Sequence, residues 1–139
     1  TARVRNRLGA HESTIGTNGN QNSVDIASRD SGYGSSVNGG ELLFLALATC
    51  YCNDIYREAA KRGIAVQQVE VSVDGEFGAE GEPARSVSYS ARVIANATEA
   101  EIEDLMRHTD TVSEIQNTLR ASTPVILRST EAHSISIER

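Results

Sequence analysis

Cys50 and Cys52 are the chain's only two cysteines, and a thiol can serve as a nucleophile, a redox centre or a metal ligand. They are separated by one residue, so on a helix turning ~100° per residue their side chains point roughly 200° apart. They are poorly placed to bond to each other, and C-x-C is not the C-x-x-C redox arrangement. His11, His108 and His133 stand isolated, and no second Cys or His pair completes a zinc set, so no metal site is expected. A buried free cysteine is most often a small hydrophobe. A reactive one needs a lowered pKa, hence a nearby cation and some exposure. A position in the middle of a helix gives little dipole help, so a basic residue from elsewhere in the fold would have to supply that cation.

Other patterns carry less. Gly32, Gly34, Gly39 and Gly40 precede a helix but form neither GxGxxG nor a loop ending in Gly-Lys-Ser/Thr, so the segment reads as a flexible lid or connector and no cofactor is expected. Glu99, Glu101, Glu103 and Asp104 read as the solvated face of a surface helix. Asn96-Ala97-Thr98 matches a glycosylation sequon, a motif frequent by chance.

The element that must position the cysteines is the best marked in the chain. Glu41 to Arg62 is apolar on almost every face from Leu42 through Cys52, opens on an acid, ends on Lys61-Arg62 and is closed by Gly63. Such a helix should be buried all round. Before it, residues 3–8, 12–17 and 23–27 read as short strands, with Asn18-Gly19-Asn20 as a hairpin turn. From Arg29 to Gly40 the composition shifts to Gly, Ser and Asn, which predicts a long loop. After it, Val66 to Phe77 and Ser86 to Ile94 alternate as strands and should pair as an antiparallel hairpin. Thr98-Glu99-Ala100-Glu101 and Thr111-Val112-Ser113-Glu114 look like capping boxes opening helices to about His108 and Arg120. Pro124 to Leu127 and His133 to Glu138 read as closing strands. The expected order is therefore βββ-α-ββ-αα-ββ, a single α+β domain over residues 1–139.

Bulk properties narrow the partners. With 139 residues, 39% apolar and 23% charged, the chain is globular and of one-domain size. Four Tyr, two Phe and no Trp leave the core to aliphatic packing, and dimerisation could supply further burial. A net charge of −6 with thirteen scattered Lys and Arg argues against nucleic acid. No stretch approaches the ~20 apolar residues of a membrane span, and the first residues lack a signal peptide's apolar core. A cytoplasmic protein is expected, with its thiols reduced.

Taken together, the Gly/Ser/Asn loop, Asn38-Gly39-Gly40-Glu41-Leu42-Leu43-Phe44-Leu45-Ala46-Leu47-Ala48-Thr49-Cys50, then Lys61-Arg62-Gly63-Ile64 and a Val-rich strand, resemble the OsmC/Ohr superfamily across essentially the whole chain. The resemblance implies an intertwined α+β homodimer with two interface sites, where a peroxidatic thiol reduces organic hydroperoxides and a second cysteine resolves the sulfenic acid. Cys50 matches the peroxidatic position. Arg29 is similar in placement to the arginine that holds that thiol as thiolate. The family's carboxylate position is occupied by Gly40, with Glu41 one place later, and the segment 113–119 resembles the second-cysteine segment with Ser113 in the cysteine's place. A hydroxyl cannot form a disulfide, and Cys52 is a poor substitute by geometry. The leading expectation is a reductase of organic hydroperoxides, with Cys50, Arg29 and Glu41 at its centre and an external thiol clearing the sulfenic acid. The alternatives are a non-catalytic dimer whose pocket, lined by Leu43, Phe44, Tyr51 and Ile55, binds an apolar small molecule, and a stress-associated structural protein.

Overall fold

The computed structural model describes residues 1–135. Three short strands, β1 (Ala2–Arg7), β2 (Ala10–Thr17) and β3 (Asn20–Ser23), form an antiparallel sheet in that order. The β2–β3 turn is made by Asn18 and Gly19, both in the left-handed region at φ 49° and 82°, as an Asn-Gly hairpin requires. A loop held by a bridge between Ser28 and Ser35 then leads to α1 (Gly39–Lys61).

Helix α1 begins two residues earlier than its sequence suggests, because Asn38 caps it. The Asn38 side chain accepts from the Glu41 N–H at 2.9 Å, and Glu41 Oε1 accepts from the Asn38 N–H at 3.0 Å. This reciprocal box satisfies two donors that no helical carbonyl reaches. At the other end Gly63 takes φ 66°, a conformation that costs a residue with a Cβ more than it costs glycine.

Strands β4 (Ala65–Glu76) and β5 (Arg85–Asn96) pair antiparallel, setting Val69 opposite Val93, Val71 opposite Ala91 and Val73 opposite Tyr89. The valine face lies against α1. Tyr51, Ile55 and Ala59 of α1, one helical turn apart, meet Leu105 of α2 (Glu99–Thr111) to make the buried core, and Val66, Val69, Val71, Ala91 and Val93 pack on it. The last helix, α3 (Glu114–Arg120), also packs on α1.

Besides the third strand, which runs Asn20–Ser23 rather than 23–27, three expectations are corrected. First, α1 is not buried all round: Leu45 is 60% and Tyr56 45% exposed, because the sheet and the two short helices cover only one side of it. Second, no capping box forms at Thr111. Its hydroxyl donates back to the His108 carbonyl at 2.6 Å, so α2 runs on to Thr111 and α3 starts at Glu114 with Ser113 before it. Third, residues 124–127 form no strand. Val125, Ile126 and Leu127 are 98%, 81% and 83% exposed, and a strand exists only where a neighbour completes its ladder. The expected strand 133–138 lies partly outside the described residues. Among the described residues no helix is long and apolar enough to cross a membrane.

Leu105 is fully buried. Leu105→Ala should therefore cost about 2–5 kcal/mol, read as a lower midpoint in chemical denaturation with an unchanged slope; a cost within the range of surface substitutions would show that α2 does not seal this core.

Candidate active site

Cys50 is half-buried on the face of α1 that meets α3. Its thiol donates to Asp54 Oδ2 at 3.3 Å, and Glu114 Oε2 stands at 3.8 Å. Asp54 is one turn further along α1 and only 6% exposed; Glu114 is the first residue of α3. Arg57, the next turn again, joins the two carboxylates. Its Nη1 lies 3.1 Å from Asp54 Oδ1 and 2.6 Å from Glu114 Oε1. Its Nε reaches Glu58 Oε2 at 2.8 Å and its Nη2 the Val112 carbonyl at 3.1 Å. Glu58 is in turn held by Lys61 Nζ at 2.9 Å and His108 Nε2 at 3.1 Å.

The electrostatics follow from this geometry. Burial foremost, then Asp54 and Glu114, pushes the Cys50 thiol above its ordinary pKa, against the pull of the Ile115 backbone N–H. Burial likewise raises the Asp54 carboxyl, although Cys50 and Arg57 draw it down. Glu114 is lowered by its own backbone N–H and by Arg57. Glu58, bonded by Arg57, Lys61 and His108, is lowered to about 2. Cys50 is thus set among two acids and an indirect cation, an arrangement that keeps the thiol protonated and gives its proton a nearby acceptor.

The residues singled out in the sequence are only partly brought together. Arg29 donates from Nε to the Ser35 carbonyl and packs on Gly34; among the described residues it makes no hydrogen bond or ion pair with Cys50 or Glu41. Glu41 is occupied in the α1 cap. At Gly40 a Cβ would lie 2.6 Å from the Phe77 ring, so no carboxylate fits there without moving Phe77, which stacks on Phe44 at 5.8 Å. Ser113 is fully buried and its hydroxyl donates to the Thr109 carbonyl at 2.8 Å. Cys52 makes no side-chain hydrogen bond among the described residues. Leu43 lines a cavity of about 610 Å³ with Leu47, Phe77, Val87, Gln116 and Leu119. Tyr51 borders a separate, more open one of about 890 Å³ with Tyr89, Ile102 and Met106. Ile55 is core.

Asp54, Arg57 and Glu114 were not anticipated. Cys50, Asp54, Arg57, Glu58 and Lys61 recur at helical spacing, which a search for polar residues on the cysteine's own face would have found. Glu114 is distant in sequence and offers no such signal. The donor atoms of Cys50, Asp54 and Glu114 lie within 4.8 Å of one another, a spacing a divalent cation could bridge. Arg57 already supplies positive charge to both carboxylates.

A family model described as OsmC-like protein matches residues 32–128. The chain belongs to the OsmC-like family. Among solved structures it resembles an OsmC-like protein from Mycoplasma pneumoniae, with 17% identity, a TM-score of 0.60, and 86% of this chain and 87% of that one covered. It is similarly close to an OsmC-like protein of unknown function from Vibrio cholerae, with 16% identity, a TM-score of 0.60, and coverage of 85% and 91%. No curated protein matches its sequence. At such identities the structural likeness establishes the OsmC-like fold.

The Glu58 carboxylate gives this site a pH signature. Its pKa is lower in the folded protein, about 2, than its ordinary 4.5, so its stabilising contribution is complete above the ordinary value and is lost as pH falls through the folded one. Glu58→Gln should therefore lower the denaturation midpoint most at neutral pH, with the gap to wild type closing between about 4.5 and 2. A gap independent of pH would remove the ionised carboxylate from the account.

Proposed function

We propose that this OsmC-like protein is a thiol-dependent reductase of organic hydroperoxides that works as a homodimer, with Cys50 as the reacting group. The observation that carries the reading is the placement of the Cys50 thiol. It is partly accessible, held by a buried carboxylate and set against the start of α3, the segment whose family counterpart bears the second thiol. Leu47 lies less than one turn from Cys50 on α1 and lines the 610 Å³ cavity, so an apolar alkyl group seated there would bring its hydroperoxide toward the sulfur. On the cavity wall, Gln116 donates to the Leu47 carbonyl and leaves its Oε1 buried without a protein partner among the described residues.

In this reading the sulfur attacks the distal peroxide oxygen, giving Cys50 sulfenic acid and an alcohol. With Ser113 unable to form a disulfide, one external thiol condenses with the sulfenic acid and releases water, and a second frees Cys50 as a disulfide of the two. A second reading, non-catalytic binding of an apolar molecule in the same cavity, is favoured by Ser113 and by the raised thiol pKa.

Dimerisation is supported by what a single copy leaves bare. Leu45, Thr49, Cys52 and Tyr56 run along the uncovered face of α1, both outer edges of the β4–β5 pair are unpaired among the described residues, and Val125 to Leu127 are apolar and exposed. Sedimentation should give twice the 14.9 kDa chain mass, and a Val125→Asp/Ile126→Asp double variant should shift it toward one; a wild-type chain that sediments as a monomer overturns the dimer.

Sulfenic acid trapping by dimedone, followed by mass spectrometry after exposure to cumene hydroperoxide, tests the chemistry. Wild type and Cys52→Ser should be labelled at Cys50, and Cys50→Ser should consume no peroxide. Absence of label in wild type, with ligand-induced stabilisation by an apolar alcohol, would leave the binding reading in its place.

A further inference from the structure

Resting on the reductase reading, the geometry points to Asp54 as a catalytic residue that accepts the proton of the Cys50 thiol during attack and returns it to the departing alkoxide. The two oxygens of Asp54 are differently engaged. Oδ1 is fixed by Arg57 at 3.1 Å, and Oδ2 faces Cys50 Sγ at 3.3 Å. The side chain is 9% exposed, so a proton placed on Oδ2 is sheltered from bulk water. Glu114 is the competing acceptor, but it is 3.8 Å from the sulfur, its side chain is 62% exposed, and its other oxygen is held by Arg57 at 2.6 Å. The groups facing the thiol are therefore Asp54 from α1 and Glu114 and the Ile115 N–H from α3, with Arg57 behind both carboxylates and Glu58 behind Arg57.

The step balances without any further reactant than the hydroperoxide. The S–H bond breaks and its proton passes to Asp54 Oδ2, while the sulfur electron pair forms a bond to the distal oxygen. The O–O bond breaks with its pair on the proximal oxygen, and the alkoxide takes the proton back from Asp54. Sulfur is oxidised by two electrons, the peroxide is reduced to an alcohol, and the carboxylate is regenerated. A thiol that had lost its proton to solvent beforehand would leave the alkoxide to find one elsewhere. A carboxyl raised by burial is better matched to both halves of this transfer than an ordinary one.

Asp54 then has two effects of opposite sign, which one comparison separates. Its negative charge disfavours the thiolate, whereas its proton transfer favours peroxide cleavage. Iodoacetamide needs only the thiolate, since iodide leaves without a proton. In the full chain, Asp54→Asn should alkylate at Cys50 at neutral pH as fast as wild type or faster, yet form sulfenic acid from cumene hydroperoxide about a hundredfold more slowly. Asp54→Glu, which keeps the carboxyl, should recover part of that oxidation rate. The role is overturned if oxidation in Asp54→Asn keeps pace with alkylation, which makes Asp54 an electrostatic brake only, or if both rates fall together and Asp54→Glu recovers neither, which makes it structural. Wild type that alkylates at Cys50 but forms no sulfenic acid sinks the reductase reading itself, and this role with it.

Discussion

The fork of Arg57 is the interaction on which the rest of this site depends. Asp54 and Glu58 are two carboxylates of α1 that folding takes almost wholly out of water, and an unpaired charge in such a position is costly. Arg57 donates from Nε to Glu58, sets Nη1 between Asp54 and Glu114, and reaches the Val112 carbonyl with Nη2. Lys would not substitute, because a single ammonium cannot span three carboxylates and a carbonyl lying in different directions. The same bonds fix where α3 begins relative to α1, and so set Glu114 and the Ile115 N–H against Cys50. The surroundings of the thiol are thus a consequence of satisfying the buried acids.

Helix α1 does two jobs with its two sides. The side bearing Tyr51, Ile55 and Ala59 is sealed by the β4–β5 hairpin and by Leu105, which makes it rigid. Between that core and the bare side runs the stripe of Cys50, Asp54 and Arg57, where the short helices only partly cover it. Precision at the thiol comes from the sealed side: Cys50 and Asp54 hold their spacing because both project from one well-packed helix, and elements of this kind hold a reacting pair more closely than loops do. Phe77, stacked on Phe44, lies close to Gly40 at the start of the same helix.

How much of this was legible in the sequence divides along local and non-local lines. The order of elements through α3, the hairpin turn at Asn18-Gly19 and the glycine closure at Gly63 follow from residues close in sequence, and the structure agrees. The errors have equally definite causes. Thr111 carries a capping signature, but its hydroxyl had a nearer acceptor in the preceding turn. Leu42 to Cys52 is apolar all round, yet the chain has too few elements to cover every side of it. Val125 to Leu127 has strand composition but pairs with no strand among the described residues. At the site, Cys50 could be singled out alone, but Glu114 arrives from 64 residues away, and only the packing of α3 on α1 brings it there. Glu41 is legible as the acid that opens α1, and the cap with Asn38 engages it there.

Replacing a cation by acids beside a thiol changes what the thiol is good at. A guanidinium in direct contact lowers the pKa and raises the thiolate fraction, but intrinsic nucleophilicity falls along with the pKa. Carboxylates do the reverse: the thiolate fraction at neutral pH drops, while the small population that forms is more nucleophilic. A site of this second kind gains only if the proton leaves as the new bond forms, and that requires an acceptor aligned with the S–H before the substrate arrives. Asp54 Oδ2 meets that requirement and Glu114 meets it less well, being longer by half an ångström and open to water. It also makes the thiol slow toward oxidants in general, since any attack must be coupled to the loss of a held proton. That reluctance is protective wherever no second thiol stands beside the first, because a sulfenic acid left uncondensed is exposed to further, irreversible oxidation.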